Sequence, residues 1–154
     1  MSISKEQWKA IEVELKGSWV QVKFTLHGHE ILVTRERKSE STTVLPVYID
    51  GSIKGIWWKF LDEIDPADEF MNQVVKQVYF HKFIKRHGKK DLENYARAKR
   101  ECGAKFANEL YGKEPEKQGR TYLTPFFGSS ATLVRQFKKI DGMELVSELN
   151  EVTA

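Results

Sequence analysis

Hydrophobic positions near the N-terminus recur at helical spacing, with Trp8, Ile11 and Leu15 on one side of the run and Gly17 ending it. Ser4 and Gln7 stand three apart just ahead, the spacing of a capping box, so the pattern predicts a short amphipathic helix. From Trp19 the period changes to two. Val20, Val22, Phe24 and Leu26 share one face while Gln21, Lys23 and Thr25 take the other, as in a half-buried strand. His27-Gly28-His29 is a turn, and Ile31 and Val33 resume the alternation on a returning strand. After a polar loop from Lys38 to Ser41, Thr42 to Ile49 is β-branched and aromatic-rich, with Pro46 suited to an edge or a bulge. Asp50-Gly51 is a two-residue hairpin turn, leading to Ile53, Ile56, Trp57 and Trp58 on a fourth strand. Residues 19–58 therefore predict a four-stranded antiparallel meander that needs cover on one face.

The helices to supply that cover follow. Asp65-Pro66-Ala67-Asp68 offers an N-cap, a proline at the first helical position and an acid in the first turn. Phe70, Val74, Val75, Val78, Tyr79, Phe80, Phe83 and Ile84 spread beyond one stripe, which predicts a long, enclosed central helix ending at Gly88. Asp91 then caps a second long helix, in which Leu92, Tyr95, Ala96, Cys102, Phe106 and Leu110 form one stripe up to Gly112. Cys102 on that stripe is expected to be buried and inert. Lys113 to Gly119 is a polar loop, Tyr122 to Phe127 a short extended run broken by Pro125. Ser129 or Ser130 caps an amphipathic helix carrying Leu133, Val134 and Phe137, which ends at Asp141-Gly142, and Met143 to Leu149 is expected as another short helix. The fold class expected is α+β, in one globular domain over residues 1–154, since alternating β-α units of a parallel sheet are absent.

Composition narrows the setting. At 154 residues, 40 % hydrophobic and 31 % charged, the chain has the balance of a globular domain with a well-solvated surface. One cysteine excludes an intramolecular disulfide, no secretory leader opens the sequence, and no apolar run approaches the ~18 residues of a membrane span, so a cytoplasmic setting without membrane contact is expected. Net charge is only +3, but its distribution is uneven: from Lys76 to Lys105 ten lysines and arginines face three acids, a local +7 that leaves −4 for the rest.

The densest part of that run, His81 to Lys90, reads as a basic elbow between the two long helices. Lys82, Lys85, Arg86, Lys89 and Lys90 are its cations, and Lys89 and Lys90 stand beside the exposed N–H groups of the following helix, an arrangement that suits phosphate. Adjacent on a strand, Trp57 and Trp58 must face opposite ways, so one is left to stack on a base or anchor a protein interface. Other chemistry is sparse. His27 and His29 lack further ligands at metal spacing, and the acids Asp62, Glu63, Asp65, Asp68 and Glu69 serve as helix caps more readily than as a magnesium site. Neither a nucleophile elbow around Ser129 and Ser130 nor a Gly-rich phosphate loop is present, so catalytic, cofactor and metal residues are not assigned.

The order helix, strand, strand, strand, with a later helix that opens Gly88-Lys89-Lys90 and runs through Ala96, Ala98 and Lys99, resembles the double-stranded-RNA-binding domain. The resemblance covers scattered parts of the chain, because a fourth strand and a whole helix intervene before Gly88. It implies that Lys89 and Lys90 contact phosphates across a groove. Two functions follow as expectations. One is a non-enzymatic nucleic-acid-binding accessory protein that uses the elbow for backbone charge and a tryptophan for stacking. The other is a small inhibitor or adaptor, of the kind phages and mobile elements use, that binds a nucleic-acid-handling protein. DNA, RNA and protein partners are left open, as is the oligomeric state.

Overall fold

A computed structural model describes residues 3–146 and shows an α+β chain with antiparallel sheets. Helix α1 (Lys5–Leu15) begins at the expected capping box, where Ser4 accepts from the Gln7 N–H and the Gln7 side chain accepts from the Ser4 N–H. Strands β1 (Gln21–Leu26) and β2 (His29–Thr34) pair over six residues across a two-residue turn. His27 and Gly28 take φ of 50° and 82° there, as such a tight hairpin requires. Strand β3 (Glu36–Arg37) continues the pairing of β2 with β4 (Thr43–Ile49) in one register, from Ile31↔Ile49 to Arg37↔Thr43.

The fourth strand of the expected meander does not form. Asp50 and Gly51 do make a tight turn, with φ of 51° and 81°, but the pairing behind it stops at one bridge, Ile49↔Ser52. Gly55–Trp57 then coils into a 3₁₀ turn. The sheet is completed instead from the far end of the chain: β7 (Phe126–Phe127) pairs with β4 at Leu45 and Pro46, and β8 (Glu144–Leu145) pairs with β1. The helix expected from Met143 is thus β8 in its first part, and residues 147–149 lie outside the described residues. One face of this sheet is buried, through Val22, Phe24, Leu26, Ile31, Val33, Val47 and Ile49. Trp8, Ile11 and Leu15 of α1 cover it together with Leu133, Val134 and Phe137 of α5 (Ser130–Phe137), and Phe24 meets both Trp8 and Phe137 ring to ring.

The long central helix is also absent. Asp65 to Asp68 forms a turn, Asp68 rather than Asp65 supplies the cap by accepting from the Met71 N–H, and a π-helical turn (Met71–Val75) runs into the short α2 (Lys76–Val78). Phe70, Val74 and Val78, and likewise Met71, Val75 and Tyr79, repeat every fourth residue. That interval fits a turn wider than the 3.6 residues of an α-helix and explains why the apolar positions overrun one stripe. At Tyr79 the backbone turns extended, with ψ of 148°. The freed carbonyls are taken by side chains from elsewhere: Gln136 donates to Gln77 O and Tyr79 O, both at 2.8 Å, and His81 Nε2 donates to Lys76 O at 2.7 Å.

From there the chain leaves the core as an arm. Strand β5 (Phe80–Lys85) pairs over its full length with β6 (Gly119–Thr124), and between them α3 (Lys89–Cys102) and α4 (Ala104–Tyr111) fold back on each other. The expected second helix is broken at Gly103, whose φ of 94° lets the chain reverse. The reversal brings Tyr95 OH to Asn108 Oδ1 at 2.6 Å and Tyr95 against Tyr111. Cys102 is exposed at the end of α3, a correction to the buried position expected from a continuous helix. Between Phe80 and Tyr122 only Ala107 and Pro115 are buried, so the arm rests on its own ladder rather than on the main core. Among the described residues no helix is long and apolar enough to cross a membrane.

Candidate functional site

The basic run is a strand, a turn and a helix start rather than an elbow between two helices. Lys82 and Lys85 lie on β5, Arg86 follows it, and Lys89 and Lys90 open α3. Side chains alternate along β5, so Phe80, Lys82 and Ile84 share one face with their cross-strand partners Thr124, Tyr122 and Arg120. Two clefts border the ribbon.

The first, of about 460 Å³, is lined by Lys82, Phe80, Thr124 and Phe126 from the arm and its root, and by Glu36, Arg37 and Lys38 from the sheet. Tyr48 donates its hydroxyl to Glu36, which together with burial pushes the Tyr48 pKa up to about 12. The second, of about 630 Å³, is lined by Phe60, Ile84, Lys85, Arg86, Lys117 and Arg120, with Gln118 and Gly119 completing it. Arg86 is fixed there by its N–H bond to Gln118 O at 2.9 Å. Gly119 is required by the close approach of the two strands, because a Cβ at this position would stand 2.3 Å from Ile84 O.

Arg120 builds the inner wall of the larger cleft. Its guanidinium lies over the Phe60 ring, 3.8 Å from the centroid, and donates twice to Asp62 at 2.9 and 2.5 Å, with Glu63 at 3.7 Å. The hydrogen bonds from Arg120, reinforced by its charge, hold the Asp62 carboxyl below the usual carboxylate range. Arg120 is therefore largely neutralised and planar, while Lys117 pairs only with the nearby Glu114 at 3.3 Å. Among the described residues Lys82, Lys85, Arg86, Arg37 and Lys38 take part in no ion pair, which leaves their charge available at the cleft mouths.

The structure brings together only part of the residues singled out from sequence. Lys85 and Arg86 share a cleft, Lys82 stands in the other, and Lys89 and Lys90 line neither. Gly88 precedes α3 without a side-chain cap, and Asp91 sits in the first turn, 3.5 Å from His87. The two tryptophans separate. Trp57 is buried against Phe70 and Tyr79 and offers no ring to a partner, whereas Trp58 is half-buried with its ring edge-on to Phe126, a lining residue of the Lys82 cleft. The outward tryptophan is Trp19, 90 % exposed between α1 and β1, and it lines neither cleft.

Arg37, Lys38, Phe60, Lys117 and Arg120 are the residues missed. Arg120 and Tyr122 alternate on one strand face, a signal present in sequence, but their pairing with Ile84 and Lys82 spans more than thirty residues and no local pattern reveals it. The acidic cluster is accounted for in part by Asp62 and Glu63 on Arg120 and by Asp65 and Asp68 on the N–H groups of Ala67 and Met71. His29 Nδ1 contacts Asp50 Oδ2 at 2.6 Å, tying β2 to the turn after β4. Helix α3, which opens with Lys89 and Lys90, buries no residue and stands on the arm instead of lying on the sheet. No protein-family model, curated protein or solved structure matches the chain.

Proposed function

We propose that the chain is a non-enzymatic nucleic-acid-binding protein and that the arm is its binding element. The observation that carries this is the concentration of cations on the arm. From Phe80 to Thr124 twelve lysines and arginines face six acids, a net +6, so the remainder of a +3 chain carries −3. Two clefts beside the ribbon collect Arg37, Lys38, Lys82, Lys85, Arg86 and Lys117 beside aromatic side chains. Cations that track a backbone and aromatic rings that accept base faces are the two components of sequence-tolerant nucleic-acid binding.

The test compares two variants with equal loss of charge. One replaces Lys82, Lys85, Arg86, Lys89 and Lys90 by serine; the other replaces the exposed Lys5, Lys9, Lys16, Lys138 and Lys139 of α1 and the α5 region. Titration of labelled DNA and RNA at low salt should show binding lost in the first variant and retained in the second. Equal weakening of both would mean that only net charge matters and would remove the arm from the account.

A second reading, an adaptor that binds a nucleic-acid-handling protein, is favoured by Phe106 and Leu110. These stand four apart on α4 and are 45 % and 61 % exposed. Under that reading the wild-type chain binds neither DNA nor RNA in the same titration.

A further inference from the structure

The larger cleft is built around one aromatic ring and one guanidinium, and its reading here rests on the nucleic-acid function proposed above. Its wall is a flat pair, the Phe60 ring with the Arg120 guanidinium 3.8 Å above it. That pair is held from two sides, by Tyr122 edge-on to Phe60 at 5.0 Å and by Asp62 taking two hydrogen bonds from Arg120. Ile84, the cross-strand neighbour of Arg120, adds aliphatic surface. Lys85, Arg86 and Lys117 stand around this apolar and planar interior.

We infer that this cleft receives an unstacked base, and hence that the protein binds single-stranded rather than duplex nucleic acid. A base within a duplex has both faces covered by its neighbours and presents only edges, in the grooves. An unpaired base exposes a face that can stack on an aromatic ring or on a guanidinium plane. The stacked pair offers such a plane on its outer side, held in place before a base arrives. Its volume of about 630 Å³ lies within the usual range for small-molecule pockets, which a nucleotide fits. The surrounding cations are placed for the phosphates on either side of the inserted nucleotide. Phe60 belongs to the segment after β4 while the other lining residues belong to the end of the β5–β6 ladder farthest from Phe80 and Thr124, so the cleft lies between that segment and the outer half of the ladder. A duplex keeps its base faces covered and so meets only the surrounding cations.

The direct test uses labelled oligo-dT and oligo-rU of about twelve nucleotides, within the site sizes of single-strand binders. Beside them are run a duplex of equal length and an abasic strand that keeps the sugar-phosphate backbone. The wild-type protein should bind a single strand at least about tenfold more tightly than the duplex, and lose roughly 5- to 150-fold on the abasic strand, the loss expected for one base stack. Phe60→Ala should produce a similar loss on the intact strand while leaving the salt dependence of binding unchanged, because no phosphate contact is removed. The abasic comparison needs no substitution and so stands even where Phe60→Ala disturbs the arm. Duplex bound as tightly as single strand, or abasic strand bound as tightly as intact strand, overturns this inference while nucleic-acid binding itself survives. Binding to none of the four overturns both.

Discussion

At the scale of single residues, the sites with an unambiguous physical job are turns and close approaches. Asp50 combines two. It turns the chain after β4 and, through Oδ1 and Oδ2, accepts the Glu30 N–H at 2.9 Å and the His29 ring. The hydrogen bond with His29 is the largest of the influences that lower its pKa. A carboxylate with a lowered folded-state pKa adds stability that is complete above the ordinary carboxylate pKa and is lost as pH falls through the lowered value. Asp50→Asn should therefore lower Tm at pH 7 and converge with wild type as pH drops below about 4. Both side chains are substantially exposed, which limits the effect to within about 1 kcal/mol. Melting curves at pH 7 and pH 3 check this, and a difference that grew toward acid would be inconsistent with the pairing. The turn itself was readable from Asp50-Gly51; its partner His29 was not, because nothing local links positions twenty-one apart.

At the scale of elements, the sequence was most legible where one pattern extended without competition. The N-terminal helix with its capping box, the first hairpin, the strand before Asp50-Gly51 and the Ser129-capped helix all form at or within a few residues of the positions that periodicity indicates. It misled between Asp65 and Gly88. Hydrophobic spacing of four continues smoothly to Tyr79, and the residues beyond it carry no glycine or proline before Gly88, so a helix extends naturally on paper. What stops it is tertiary: six residues find partners on β6, and Gln136 and His81 satisfy the helix carbonyls that are released. Gln136→Ala should thus leave the Gln77 and Tyr79 carbonyls without their donor, at a cost of about 1–3 kcal/mol. Urea unfolding would show this as a lower midpoint at unchanged slope. A variant as stable as wild type would mean that solvent replaces Gln136 and that pairing with β6 alone ends the helix.

For the whole molecule, the candidate site depends on an arrangement that no single element contains. The cationic run was legible as composition, and Lys82, Lys85 and Arg86 do stand at clefts. Their neighbours Arg37, Lys38, Phe60, Lys117 and Arg120 come from four other segments. The adjacent tryptophans do lie in different environments, as expected, but at a 3₁₀ turn instead of on a strand, with Trp57 in the core and Trp58 half-buried against Phe126. Among the described residues the charge asymmetry is a net +6 arm on a net −1 remainder, an arrangement that would turn the arm toward a polyanion during approach. The measurement that tests this most directly is the salt dependence of binding to a single strand, for wild type and for a Lys85, Arg86 and Lys117 to serine variant. Each phosphate contact contributes about 0.7 to the slope of log K against log salt on single strands, so the variant should be flatter by about 2. An unchanged slope, or wild-type protein that binds no strand at low salt, would contradict the account.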